Sequence, residues 1–152
     1  MRRPAIVLAT IVIAASVIVA PAAPASAATP QCTALGTGVA QFSPPGLPPL
    51  PVPTIYYYPA ASSGSSMCWM QRGNHSWGVW ALQLALNLCY GQGLSTDADF
   101  GAATERALRF AQSISGATVD GGYGPNTRTH MKYAPPTLGT PYCAQLLVVG
   151  IA

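Results

Sequence analysis

The sequence predicts a mainly α fold: a small domain of three helices with an internal pseudo-repeat, preceded by an extended Pro/Tyr-rich segment. Three observations carry that reading. Asp97, Phe100, Gly101 and Thr104 recur as Asp120, Tyr123, Gly124 and Thr127, each 23 positions after its counterpart. Apolar residues from Val79 onward follow the three-to-four spacing of a helix face. Proline is dense between Ser43 and Pro59, where no helix can form. In each copy of the repeat, an acidic turn residue and an aromatic precede a glycine free to turn left-handed, and the threonine falls where a helix begins. Two copies are too few for a solenoid, which needs about three to bury a shared core.

The first element is an address. Arg2 and Arg3 precede an uncharged run from Ala5 to Ala20, then Pro21, Pro24 and the triplet Ala25, Ser26, Ala27. That order reads as a secretory signal peptide over residues 1–27, cleaved after Ala27. The run is shorter than the roughly 20 apolar residues that span a bilayer, so no membrane attachment is expected after cleavage. Cleavage removes two of seven basic residues and leaves five against four acidic ones, a mature charge of about +1. Without a basic stripe to neutralise phosphates, nucleic acid is excluded as a partner.

Residues 28–66 form the Pro/Tyr-rich segment. Its first part reads as extended or polyproline-like. Ile55 and Tyr56 to Tyr58 are bulky strand formers, and Thr54 to Tyr58 is expected to dock on the domain, with Ala60 to Ser66 as a mobile loop. Residues 67–134 form the helical domain. Helix one is expected over Trp77 to Cys89, capped by Asn74 or Ser76 and closed by Gly91, with Val79, Leu82, Leu86 and Cys89 or Tyr90 inward. A second stripe of Trp80, Leu84 and Leu88 makes it apolar nearly all round, so it needs a cover on that side too. Helix two is expected from Ala102 or Ala103 to Ile114, with Ala107, Leu108, Ala111 and Ile114 inward, Glu105, Arg106 and Arg109 outward, and Gly116 as its stop. Helix three starts at Pro125 and runs through Met131 until Pro135 and Pro136 forbid continuation. Residues 135–152 are a tail tied down by Cys143.

Cys32, Cys68, Cys89 and Cys143 are an even set in a small exported chain, which implies disulfides. Three pairings are possible. The favoured one joins Cys68 to Cys89 across helix one and Cys32 to Cys143 near the termini. Zinc is not expected, since neither CxxC nor HxxxH spacing is present.

Gly73 to Met131 resembles the three-helix peptidoglycan-binding domain family. The resemblance rests on Val79, Leu82, Gln83, Leu86, Asn87 and Tyr90 of helix one, both aspartate-to-aromatic-glycine turns with their threonines, and Gln112. The cysteine arrangement is similar to stand-alone exported members from Gram-positive bacteria. Ala98 replaces the glycine usual after the first aspartate, and Ala111 and Ala117 stand where larger residues are common. Phe110 or the Tyr56 to Tyr58 run is expected to fill the vacated volume.

The resemblance implies a peptidoglycan-binding-like domain that grips glycan or stem peptide without catalysis, as a monomer and with no cofactor. Expected ligand contacts are Trp77, Trp80 and Tyr123, with Arg106 and Arg128 for stem-peptide carboxylates. Asp97, Gly101, Thr104, Asp120, Gly124 and Thr127 are read as structural turn and cap residues, and Gln83, Asn87 and Gln112 as buried amides bonding between segments. A small wall hydrolase is disfavoured: four carboxylates and two histidines offer no facing carboxylate pair and too few zinc ligands. The rival reading is a secreted module that binds or regulates another protein through the same aromatics.

Overall fold

The computed structural model describes residues 28–40, 54–133, 135 and 143–145. The signal-peptide reading of residues 1–27 and the proline-dense run up to residue 53 lie outside the described residues.

Two strands open the described chain, β1 (Ala34–Ala40) and β2 (Thr54–Ala60), and they pair antiparallel with Gly36 opposite Tyr58 and Gly38 opposite Tyr56. The pairing explains the composition of both partners. Tyrosines alternate inward and outward along β2, so Tyr56 and Tyr58 are buried while Tyr57 turns to the other face. The glycines of β1 leave room: a Cβ on Gly36 would fall 2.3 Å from the Tyr58 ring. β2 packs against the first helix, as the sequence led one to expect of Thr54 to Tyr58. Beyond it, Ala61 to Ser65 closes on itself through Ala61 N–H to Ser65 O (2.8 Å) and Gly64 N–H to Ala61 O (2.9 Å), a bonded turn with Ala61 buried where a mobile loop was expected.

Helix α1 spans Trp77–Tyr90, α2 Ala102–Ser115 and α3 Pro125–His130. Ser76 caps α1, its Oγ accepting the Val79 N–H at 3.3 Å, and Gly91 and Gly116 end α1 and α2 in the left-handed conformation. Short strands β3 (Lys132–Tyr133) and β4 (Ala144–Gln145) pair antiparallel and bring the tail back. The core combines the inward face of α1 (Val79, Leu82, Ala85, Leu86) with Phe100, Ala107, Leu108, Ala111, Tyr56, Tyr123, Met131 and Tyr133. At about 2 kcal/mol for each fully buried large side chain, the hairpin's tyrosines contribute as much as helix leucines do.

Several expectations need correction. Ile114 is 60 % exposed and does not face the core, because Gln112 takes the inward position on that turn of α2. Phe110 is also exposed, so it fills none of the volume vacated at Ala111; the bulk comes from Tyr56, Tyr123, Tyr133 and Phe100. The disulfides are Cys32–Cys68 and Cys89–Cys143, not the favoured pairing. Cys32 sits against Gly78 at the start of α1 and donates its N–H to Trp69 O (2.8 Å), beside Cys68. Cys89 lies eleven residues further along the helix, roughly 16 Å away at 1.5 Å per residue, beyond any disulfide's reach. The two bridges therefore tie the two ends of α1 separately, the arm at its start and the tail at its end.

Candidate functional site

The repeated turns are organised by two buried glutamines. Gln83 Nε2 donates to Asp97 Oδ1 (2.8 Å), Asp99 O (2.9 Å) and Thr104 Oγ1 (3.3 Å), while its Oε1 accepts the Ala98 N–H at 3.0 Å. Gln112 repeats the set on Asp120 Oδ1 (2.8 Å), Gly122 O (2.8 Å), Thr127 Oγ1 (3.0 Å) and the Gly121 N–H (2.9 Å). A buried amide needs partners for its N–H donors and its oxygen, and a turn offering a carboxylate, a carbonyl and a hydroxyl to the two N–H groups and one backbone N–H to the oxygen supplies them. Asn87 acts on the loop after α1, donating to Leu94 O (2.8 Å) and accepting the Leu94 N–H. Asp97 Oδ1 also accepts the Asp99 N–H, and the Gln83 bond foremost holds its carboxyl below the ordinary range.

This geometry reassigns two roles. Thr104 and Thr127 are buried inside α2 and α3 as partners of the amides, and the N-cap residues are Gly101 and Gly124. Those glycines are extended (φ −83° and −149°), so neither uses left-handed freedom. The left-handed position in each turn is the residue after the aspartate: Gly121 at φ 74° and, in the first copy, Ala98 at φ 65°. The alanine is thus held in a conformation that L side chains disfavour.

Of the five expected ligand contacts, the structure brings two together. Trp77 and Trp80, one turn apart on α1, meet edge to face with ring centroids 6.0 Å apart. Trp77 is 64 % exposed and Trp80 half-buried. The row is extended by Tyr57 of β2, whose ring lies 6.1 Å from that of Trp80. Tyr57 belongs to a site built by two elements, and only the alternation along β2 pointed outward for it. Arg106 is exposed on α2.

Tyr123 and Arg128 are withdrawn from any surface contact. Tyr123 is 1 % exposed and shares a 2.6 Å hydrogen bond with the Tyr133 hydroxyl; burial pushes both phenols up from their ordinary value. Arg128 is 5 % exposed near that pair, with its Nε unpartnered. Tyr123 pairs through its backbone with Met70 (2.9 and 2.8 Å), which holds the second turn against the incoming chain.

Two further features bear on chemistry. Among the described residues, no group of three His, Cys, Asp or Glu side chains is placed to hold a metal ion. His75 Nδ1 lies 3.0 Å from Asp99 Oδ1, and both side chains are exposed. Among the described residues, no helix is long and apolar enough to cross a membrane.

No curated protein and no solved structure gives a match to this chain. Residues 78–131, from the first turn of α1 to the end of α3, match the family model described as "Putative peptidoglycan binding domain".

Proposed function

We propose that the chain is an exported, non-catalytic protein that binds cell-wall peptidoglycan through the aromatic row of Trp77, Trp80 and Tyr57. The observation that carries this reading is the row itself, built on β2 and the first turn of α1, with Trp80 inside the segment that matches a peptidoglycan-binding family and Trp77 at its edge. Flat aromatic faces held rigidly at a surface suit the apolar faces of sugar rings, and ring contacts of this kind contribute about 0.5–1.5 kcal/mol beyond area burial. Exposed Arg106 is proposed to meet stem-peptide carboxylates. The signal-peptide pattern and two disulfides favour an oxidising, extracellular or wall-associated location. We read the recurrent amide clamps as an internal repeat, and residues 28–66 with 67–134 as one working unit, since β2 supplies both core and row.

A second reading has one observation in its favour. Phe110 and Ile114 are both exposed and one turn apart on α2, an arrangement suited to a protein partner. The experiment that separates the two is co-sedimentation of oxidised 28–152 with purified sacculi, alongside Trp77→Ala, Trp80→Ala and Phe110→Ser. Wall binding predicts specific pelleting, weakened about three- to tenfold by each tryptophan change, as 0.5–1.5 kcal/mol implies, and untouched by Phe110→Ser. No pelleting sinks it.

A further inference from the structure

We infer that the chain carries a second subsite, a polar cleft that takes a zwitterionic amino-acid group, the charged end of a stem peptide when peptidoglycan is bound. The inference rests on the wall-binding reading and adds to it a ligand part that the aromatic row cannot read. The cleft is open to solvent, measures about 390 Å³ and is lined by Gln71, Arg72, Glu105, Asp120, Gly121 and Gly122. That is the small end of ligand-site volumes, enough for one residue-sized group.

Its charges are paired unequally. Glu105 Oε1 is committed to Arg109, with Nη2 at 3.1 Å. Arg72 stands 3.9 Å from Glu105 Oε2, too far for a hydrogen bond, and its side chain is 65 % exposed. Asp120 Oδ1 is taken by Gln112 (2.8 Å) and the Gly122 N–H (2.9 Å), and among the described residues no donor engages its other oxygen. The cleft thus offers, among the described residues, one guanidinium held only by a long ion pair and without a hydrogen bond, and one carboxylate oxygen without a donor. A lone anion would meet Asp120 and Glu105, and a lone cation would meet Arg72 and Arg109; a neutral sugar would desolvate both free charges without pairing either. A ligand with a carboxylate for Arg72 and an ammonium for Asp120 satisfies both.

The frame is rigid where it needs to be. The Asp120–Gly122 turn is fixed from beneath by Gln112, and the Met70–Tyr123 backbone pair sets Gln71 and Arg72 opposite it. Arg109 closes over Gly121 so tightly that a Cβ there would fall 2.7 Å from its Nε.

The test is calorimetric titration of the full oxidised chain with three soluble probes: the wall disaccharide alone, the disaccharide bearing a stem peptide with a free diamino-acid end, and the free diamino acid. The expected result is about tenfold tighter binding of the peptide-bearing probe than of the disaccharide. Arg72→Gln and Asp120→Asn should erase that difference while leaving disaccharide affinity unchanged; exposed Arg72 can be replaced without loss of fold, and thermal unfolding checks the second variant. Equal affinity for the first two probes, or a difference that neither variant alters, overturns the subsite and leaves wall binding standing. The free amino acid binding as tightly as the peptide-bearing probe overturns the stem peptide as its source. Failure to bind any probe or sacculi overturns both readings.

Discussion

Replacing Gln112 by leucine removes a side chain of similar volume that makes four hydrogen bonds in a buried position, and the loss can be worked through bond by bond. The Gly121 N–H, buried and bonded at 2.9 Å to Oε1, is left with no partner, which costs about 1–3 kcal/mol. Gly122 O keeps the Thr127 hydroxyl at 3.2 Å, and Asp120 Oδ1 keeps the Gly122 N–H at 2.9 Å, so those losses are nearer 0.5–1.5 kcal/mol each. The sum is about 2–6 kcal/mol, a large part of the 5–15 kcal/mol that holds a typical domain together. Urea unfolding of the oxidised chain measures it directly. Gln112→Glu isolates the donor side. It keeps an acceptor for Gly121 but sets a second oxygen against Asp120 Oδ1 and Gly122 O, so the new carboxyl's pKa is raised above its ordinary value of about 4.3. An acid raised in the folded state weakens the protein as pH climbs from that ordinary value through the raised one, so the deficit against wild type should be largest at pH 7 and shrink towards pH 4. A leucine variant within about 1 kcal/mol of wild type, or a glutamate variant with no pH-dependent deficit, would refute the account of these amides as the organisers of both turns.

Three other outcomes are expected. Ala98→Gly relieves a left-handed alanine (φ 65°), worth about 1–2 kcal/mol, against about 0.5–1 kcal/mol of added chain entropy, so the variant should be more stable by about 0.5–1 kcal/mol in thermal unfolding; a loss would contradict the observed turn. Gly78→Ala places a Cβ 2.6 Å from the Cys32 carbonyl oxygen, which also accepts the Ser76 hydroxyl at 2.8 Å, so the arm must lift; limited proteolysis between residues 28 and 67 should accelerate while α1 stays helical by circular dichroism. The pH limits follow from the groups already described. Tyr123 and Tyr133 are raised by burial, so their contribution is complete below the ordinary phenol value of 10.0 and is lost as pH climbs above it, whereas Asp97 is lowered and its contribution goes as pH falls below 3.8; pH-dependent urea midpoints should fall at both ends, and Tyr133→Phe should blunt the alkaline limb.

What could be read in the sequence was what local chemistry decides. The three helices stand where apolar spacing, Ser76, Gly91, Gly116 and Pro125 put them, to within a residue or two at the ends. The buried amides were legible because Gln83 and Gln112 sit on otherwise apolar helix faces. What escaped was decided by distant chain. β1 has two glycines in seven residues and no strand pattern of its own; it pairs with β2 where Gly36 admits the Tyr58 ring. The disulfide pairing depends on which end of α1 each loop reaches, and Tyr123 is tied to Met70, 53 positions earlier in the chain. The left-handed residue was placed at the glycine of each motif, when the amide's need for an N–H one residue after the aspartate fixes it there.

The way the candidate surface is built has a consequence for how it should fail. Two of the three rings come from α1, Trp80 within the matched family segment and Trp77 at the position before it, but Tyr57 comes from a hairpin well outside it. That hairpin is held by Tyr56 and Tyr58 in the core, by the Ser76 hydroxyl on Cys32 O, and by the Cys32–Cys68 bridge. A bridge closing a 36-residue interval stabilises by about 4 kcal/mol in the chain-entropy account. Cys89–Cys143 holds the opposite end of α1 and touches none of the three rings. Replacing Cys32 and Cys68 together by alanine should therefore weaken sacculus binding well beyond what the same change at Cys89 and Cys143 does, with both variants compared at a temperature where α1 and α2 remain folded. Equal losses from the two pairs would mean that the arm is only a support for the core, and that Tyr57 takes no part in binding.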